Sequence, residues 1–173
     1  LKDADVFITN VREQSLVRNG LDYETLKEHN PGLIYAHFLG YGERGPAANN
    51  PGFDISAFWL RSGPPADWST EGSFPFLPTY AFGDMATSSA FLSGILMALY
   101  AKKETGLGTK VGTSLFASGI WCNAIGVVQT QFERKDLNPH PLRPTDPFNQ
   151  TYLCKDGRWI GVYCNEYVMD KPK

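Results

Sequence analysis

The sequence of 173 residues has few of the residues that usually build metal sites or disulfide frameworks. Its three cysteines, Cys122, Cys154 and Cys164, are odd in number and lack the spacing of metal ligands. That pattern is typical of reduced thiols in a cytosolic protein, so a cytoplasmic location is expected. The three histidines are scattered along the chain, and no metal site is predicted.

An excess of basic charge and a long apolar run are also absent. The formal net charge of -2 argues against nucleic acid as a partner, and no run of like charges indicates a binding tail. No apolar stretch reaches the roughly 18 residues that a membrane span requires, so no membrane partner is expected. With 42% hydrophobic residues, the composition predicts a soluble globular domain with a buried core.

The two ends of the chain differ from those of a complete domain. The sequence starts at Leu1, without an initiator Met or a signal-peptide pattern, and leads at once into an apolar strand. Another strand pattern, at residues 158–163, lies ten residues from the last residue. These features predict a piece of a longer protein.

The order of the remaining patterns predicts an α/β domain with a parallel sheet. Apolar strands are expected at residues 6–9, 33–39 and 110–116, with a helix at residues 23–29 after the cap Asp22. Further helical segments are expected at residues 15–19, at 55–60 after a cap at Asp54, and at 117–132. Residues 133–148 contain four prolines, which is linker composition, and a hairpin is expected to turn at Asp156-Gly157. We therefore predict one domain over residues 1–140 and the beginning of a smaller one over 141–173.

A helix from about residue 82 to about residue 103 is the predicted centre of the domain. Its apolar stripe consists of Ala90, Phe91, Gly94, Ile95, Ala98 and Leu99. Asp84 stands at or just before its N-terminus, where two interpretations compete. It could cap the helix by accepting backbone N–H bonds, or it could be a nucleophilic carboxylate kept ionised by the helix dipole. The two roles are compatible, and the sequence pattern does not decide between them.

Two loops flank these elements. Residues 40–46, GYGERGP, follow the end of a strand but match neither common phosphate-loop pattern, so simple turn chemistry is favoured. Residues 62–80 hold Trp68, Phe74, Phe76 and Tyr80. These aromatic side chains could form the wall of an apolar ligand site, or they could anchor the loop on its own domain.

Taken together, these motifs resemble the class III CoA-transferases, the group that includes formyl-CoA, carnitine and bile-acid CoA-transferases. The resemblance covers nearly the whole chain in the same order and spacing. Its pieces are DVFITNVR at 5–12, NPGLIY at 30–35, GYGERGP at 40–46, PGFD at 51–54, Gly83-Asp84 followed by Gly94, TGLGTKV at 105–111, and Thr151-Tyr152 with KDG at 155–157.

The resemblance implies a Rossmann-like domain in which Asp84 is the catalytic nucleophile. In similar enzymes this aspartate forms an anhydride with the acyl group and then a thioester with CoA. CoA is a co-substrate there, and no tightly bound cofactor is expected. The resemblance also implies acyl-CoA and carboxylic acid substrates and an interlocked homodimer of the full-length protein.

Four more residues are assigned by the same resemblance to the CoA site. Asn10, Val11 and Arg12 match an Asn-Phe-Arg stretch beside the CoA, with Val11 in place of the usual Phe. Arg12 would suit a CoA phosphate, although a solvated surface arginine is the alternative. Phe53 matches an aromatic position beside the active site, and a core aromatic residue is its alternative.

Phe53 also bears on the choice between related activities. The similar α-methylacyl-CoA racemases have a His there as an acid/base group, and a phenyl ring cannot exchange a proton. Transfer is therefore expected, with racemisation or a non-catalytic CoA-binding domain as alternatives. The amino-acid sequences at residues 9–12 and 39–42 most resemble those of transferases that act on 2-hydroxyacyl-CoA or arylacyl-CoA.

Overall fold

Three parallel strands form the sheet on which the domain is built. A computed structural model describes residues 1–70, 72–76, 78–132 and 149–163. In spatial order the strands are β1 (Val6–Thr9), β2 (Ile34–Leu39) and β3 (Lys110–Ser114). Val6 pairs with Ile34, and Tyr35 pairs with Lys110. The predicted parallel α/β sheet is confirmed, and β2 at its centre is almost fully buried.

Seven helical segments accompany these strands in the described part of the chain. Asp22 caps the second of them as predicted, since its Oδ1 accepts a hydrogen bond from the Thr25 N–H at 3.1 Å. The bounds are α1 (Glu13–Arg18), α2 (Tyr23–His29), a π-helical turn (Asp54–Leu60), α3 (Pro64–Trp68), α4 (Phe82–Thr105), α5 (Leu115–Cys122) and α6 (Ala124–Gln129).

Three of the predicted helical boundaries are wrong. Asp54 does not cap the segment that follows it, because it is the first residue of the π-helical turn and Phe53 precedes the turn. The loop at residues 62–80 contains the short helix α3. The helix predicted over 117–132 starts at Leu115 and breaks at Asn123, whose side-chain amide donates to Asp67 Oδ2 at 2.7 Å.

Helix α4 packs across the sheet through its buried residues. Phe91 and Ile95 form a cluster with Ala36 of β2, and the ring of Phe38 meets that of Phe91 edge-on at 5.6 Å. Ala98 continues this face. The predicted stripe is too wide, because Ala90 is exposed and Leu99 is 36% exposed.

The length and composition of α4 would allow it to cross a membrane, which the apolar runs in the sequence did not indicate. Core helices of other proteins can be equally long and apolar. Phe91 and Ile95 lie against the sheet, so packing within this chain explains the apolar residues on that face of α4.

The last described element is a hairpin. Strands β4 (Asn149–Leu153) and β5 (Trp159–Tyr163) are antiparallel, and Gly157 has the positive φ of +81° that the predicted turn requires. The linker at residues 133–148 lies outside the described residues, so the boundary between 1–140 and 141–173 stays a prediction. Cys122 and Cys154 are free thiols, and Cys164 lies outside the described residues.

Packing between α4 and the sheet can be tested at Ile95, which is 7% exposed. Truncating it to Ala leaves a cavity against the sheet and should lower the free energy of unfolding by about 2–4 kcal/mol. Leu96, the next residue, is 56% exposed, and Leu96→Ala should cost less than about 1 kcal/mol. Urea denaturation compares the two variants. Equal losses would contradict the packing of α4 described here.

Candidate active site

Asp84 lies in the first turn of α4 as its third residue and is half-buried. The residue that precedes the helix is Ala81, and no side chain caps this helix N-terminus. The cap interpretation of Asp84 is therefore wrong. Because the first turn carries the positive end of the helix dipole, the position still favours a negative charge, typically by about 0.3–1 kcal/mol.

Ala81 brings the chain into α4 with unusual backbone geometry. Its φ of +66° lies in the left-handed region, and no other non-glycine residue in the described part of the chain has a positive φ. Such a conformation costs an L-residue roughly 1–2 kcal/mol and is found most often at functional sites. No sequence pattern predicts this conformation, since alanine is not typical of left-handed positions.

Gly83 joins the start of α4 to the π-helical turn. Its N–H donates a hydrogen bond to Oδ1 of Asp54 at 2.9 Å. Asp54 is only 3% exposed, and its Oδ2 has no hydrogen-bond partner in the part of the chain that the structure describes. A Cβ on Gly83 would overlap Asp54 Oδ1 and the ring of Phe58. Glycine at this position is thus required by the close approach of two segments.

A cavity of about 330 Å³ lies beside Asp84. It brings together three of the residues assigned from the resemblance: Asn10, Phe53 and Asp84. Phe53 is 72% exposed, so its interpretation as a core aromatic residue is wrong. The remaining lining residues are Phe38, Leu39, Gly40, Gly52, Asp54, Ile55, Tyr80 and Leu115.

Val11 and Arg12 do not line this cavity. Both are exposed, and Arg12 Nη1 donates a hydrogen bond to the backbone oxygen of Asn49 at 3.4 Å. Asn49 borders a second cavity, of about 500 Å³, between α1 and the loop that follows β2. The assignment of Arg12 to a CoA phosphate stays a prediction.

A buried histidine supports the segment that holds these residues. His37 of β2 is fully buried, and its Nε2 lies 2.8 Å from the backbone oxygen of Val11. Its Nδ1 faces Glu13 Oε2 at 3.5 Å and Glu43 Oε1 at 3.6 Å. The sequence does not indicate this role, because a single histidine in an apolar strand forms no recognisable motif.

The aromatic residues of the 62–80 loop divide between the two predicted roles. Trp68 and Phe76 anchor the loop, since their ring centroids lie 5.8 and 6.4 Å from that of the buried Trp59. Tyr80 is 83% exposed and lines the cavity beside Asp84. Phe74 is 96% exposed.

The surroundings of Asp84 make its carboxylate more basic than usual. Its partial burial raises the pKa of Asp84 above the ordinary value of 3.8, and the negative charge of Asp54 raises it further. No Lys, Arg or His is among the described residues that line the cavity. A carboxylate that is poorly stabilised as an anion is suited to nucleophilic attack.

Gly83→Ala tests whether the close approach of α4 and the π-helical turn is required. The added methyl group should displace the first turn of α4 and lower the free energy of unfolding by about 1–3 kcal/mol. Gly94→Ala, in the same helix, is the control, because its Cβ would meet only a methyl group of Val111, at 2.8 Å. There the gain in helix propensity, up to about 1 kcal/mol, offsets the contact. Chemical denaturation that finds Gly83→Ala no less stable than Gly94→Ala would contradict this geometry.

The raised pKa of Asp84 predicts a pH-dependent effect of Asp84→Asn on stability. A carboxyl group whose pKa is higher in the folded state binds its proton more tightly there, so the wild type loses stability as pH rises from 3.8 through the raised value. Asp84→Asn removes this loss and should have the higher melting temperature at pH 7, with the difference vanishing below pH 3.8. Thermal melts across this range measure it. Asp3→Asn, at an exposed carboxylate, is the control, and a variant less stable than the wild type at pH 7 would refute the prediction.

Comparison with known proteins adds evidence independent of this geometry. The model of the family described as CoA-transferase family III matches residues 1–169. The chain is 39% identical over 170 residues to the (R)-2-hydroxy-4-methylpentanoate CoA-transferase of Clostridioides difficile, covering 96% of this chain and 42% of the relative. It is 36% identical over 170 residues to the cinnamoyl-CoA:phenyllactate CoA-transferase of Clostridium sporogenes, covering 96% of this chain and 41% of that protein.

A solved structure agrees with this assignment. The crystal structure of a CAIB/BAIF family protein from Brucella suis matches with a TM-score of 0.79 at 29% identity, over 94% of this chain and 43% of that one. The chain thus spans about two fifths of the length of the relatives it matches. On the match of the family model over residues 1–169, the chain belongs to CoA-transferase family III.

Proposed function

We propose that this chain is the catalytic α/β part of an enzyme that transfers CoA from an acyl-CoA thioester to a free carboxylic acid. Asp84 is its nucleophile. The observation that supports this role is the position of Asp84 in the first turn of α4, half-buried and facing a cavity, with a raised pKa. CoA acts as a co-substrate.

The reaction proceeds through covalent intermediates on Asp84. One carboxylate oxygen of Asp84 bonds to the acyl carbon of the donor, and CoA leaves as a thiolate, which gives a mixed anhydride. The thiolate then attacks the aspartyl carbonyl and releases the donor acid, leaving an aspartyl-CoA thioester. The acceptor carboxylate and CoA repeat these two steps in reverse order. Splitting the exchange in this way conserves the thioester energy while water is kept out.

The acids exchanged are 2-hydroxy or aryl acids in this proposal. Two relatives at 39% and 36% identity have names that specify a 2-hydroxy acid and phenyllactate. Phe53 and Tyr80 supply aromatic surface beside Asp84, and Phe38 lines the same cavity. An aromatic wall suits a branched or aryl side chain, because such groups bury apolar area against it.

Asn10, Val11 and Arg12 are proposed to hold the CoA. Asn10 lines the cavity with Asp84, and Arg12 is exposed two residues further along the same segment. A guanidinium group suits a phosphate because it is permanently charged and donates in a fixed fork. The buried His37 contacts the backbone oxygen of Val11 through Nε2 and so fixes the position of the backbone that carries these three residues.

The full-length protein is proposed to act as an interlocked homodimer in the cytoplasm. The outer face of α4 supports an interface of some kind, because it presents apolar side chains to solvent in the described structure. These include Leu92, Leu96, Met97 and Tyr100. Such a contiguous apolar face is typical of a surface that is covered in an assembly.

Trapping on the full-length protein tests the role of Asp84. Incubation with an acyl-CoA should form an aspartyl-CoA thioester that borohydride or hydroxylamine converts to a stable product, and peptide mapping should locate that product at Asp84. Asp84→Asn should lose both the adduct and at least about 1,000-fold of the transfer rate. An unlabelled Asp84 would exclude the proposal. Exchange of the acyl-CoA α-proton with deuterated water, without CoA exchange between acids, would favour the racemase.

A further inference from the structure

Asp54 is a second carboxylate beside the nucleophile, and the proposed reaction steps do not use it. It lines the same cavity as Asp84 and is 97% buried, since only 3% of it is exposed. Burying a carboxylate costs several kcal/mol unless hydrogen bonds or a counter-charge compensate. Among the described residues, Asp54 has one such compensation, the N–H of Gly83 at 2.9 Å from Oδ1, and none forms a hydrogen bond with Oδ2.

The single hydrogen bond of Asp54 connects it directly to the nucleophile. Gly83 precedes Asp84 in the chain, so the bond fixes the backbone from which the Asp84 side chain projects. The π-helical turn that begins at Asp54 is itself anchored in the core, because its residues Ala57, Phe58 and Trp59 are buried. The position of one carboxylate therefore depends on that of the other.

The negative charge of Asp54 acts on Asp84, and no Lys, Arg or His among the described residues that line the cavity offsets it. Besides the two carboxylates, the phenol of Tyr80 is the other titratable group among the described cavity-lining residues. The elements that pack against α4 carry other titratable groups, none of which lines the cavity: Tyr35 and His37 on β2, Lys110 on β3 and Cys122 on α5. Lys110 is paired with Glu43 at 2.8 Å.

We propose that Asp54 is a positioning residue that holds Asp84 through Gly83 and makes its carboxylate a stronger nucleophile by repulsion between the two negative charges. The inference rests on the proposed function of Asp84. It extends that function, because it assigns a role in the reaction to a residue that does not itself bond to substrate.

The charge balance of the first step explains why repulsion accelerates it. When an oxygen of Asp84 bonds to the acyl carbon and the carbon–sulfur bond breaks, the electron pair and the negative charge leave on the CoA sulfur. The anhydride at Asp84 is neutral, so the repulsion from Asp54 is present before the step and absent after it. An interaction that is relieved on the way to the transition state lowers the barrier.

Three substitutions at Asp54 in the full-length enzyme separate charge from geometry. Asp54→Asn keeps an oxygen that can accept from Gly83 N–H but removes the charge. Asp54→Glu keeps the charge, and Asp54→Ala removes both. Asp67→Asn is the matched control, since Asp67 is partly buried near the same π-helical turn but does not line the cavity.

The first measurement does not require activity. Carbon-13 NMR titration of the Asp84 side-chain carboxyl, assigned with Asp84→Asn, should give a midpoint in Asp54→Asn that is lower than in the wild type. Asp54→Glu and Asp67→Asn should titrate as the wild type does. An unchanged Asp84 midpoint in Asp54→Asn overturns the inference. If Asp54→Asn does not fold, Asp54→Glu provides the test. In that variant, a titration midpoint of Asp84 at the ordinary aspartate value would overturn the inference.

The second measurement is the pH profile of transfer. In Asp54→Asn we expect kcat to fall by about tenfold to a hundredfold with KM changed less than about threefold, and the acidic limb of the profile to move to lower pH. A merely structural role would leave that limb in place. Wild-type enzyme with no adduct at Asp84 would disprove the proposed function itself, and the NMR result would still decide the coupling of the two carboxylates.

Discussion

The geometry of the candidate active site depends on one buried hydrogen bond, from the N–H of Gly83 to Oδ1 of Asp54. This bond joins the start of α4 to the π-helical turn. At Gly83, a side chain larger than hydrogen would collide with Phe58 and with Asp54 itself. The Gly-Asp pair is therefore one structural unit. Glycine permits the contact, and the contact sets the direction of the aspartate that follows.

The rest of the domain holds these two segments in place. Phe91 and Ile95 fix α4 on the sheet, while the π-helical turn is fixed by its buried residues Phe58 and Trp59. Ala81 enters α4 in a left-handed conformation, which is costly for alanine, and the ring of Phe82 beside it lies 5.5 Å from that of Trp59. The same surroundings partly bury Asp84 and raise its pKa, so the fold that positions the carboxylate also makes it more basic.

Much of this architecture could be predicted from the sequence. Apolar runs located the three parallel strands, and Asp22 and Gly157 marked a helix start and a turn through ordinary cap and turn chemistry. The sequence predicts a cap at Asp54 because it shows an acidic residue before a helical pattern but not the distant N–H of Gly83 that Asp54 binds. His37 and Ala81 were missed for a similar reason, since their roles come from tertiary contacts and backbone geometry rather than from a pattern.

The central claim is that the acyl groups pass through a covalent bond to Asp84, and oxygen tracing tests it directly. An acceptor acid labelled with ¹⁸O in both carboxylate oxygens bonds through one of them to the aspartyl carbonyl, and that oxygen stays on Asp84 when CoA takes the acyl group. Mass spectrometry of the full-length enzyme after a single turnover should therefore find the Asp84 peptide heavier by about 2 Da, one ¹⁸O for ¹⁶O. An Asp84 peptide of unchanged mass, in enzyme that has transferred CoA to the labelled acid, would contradict the account.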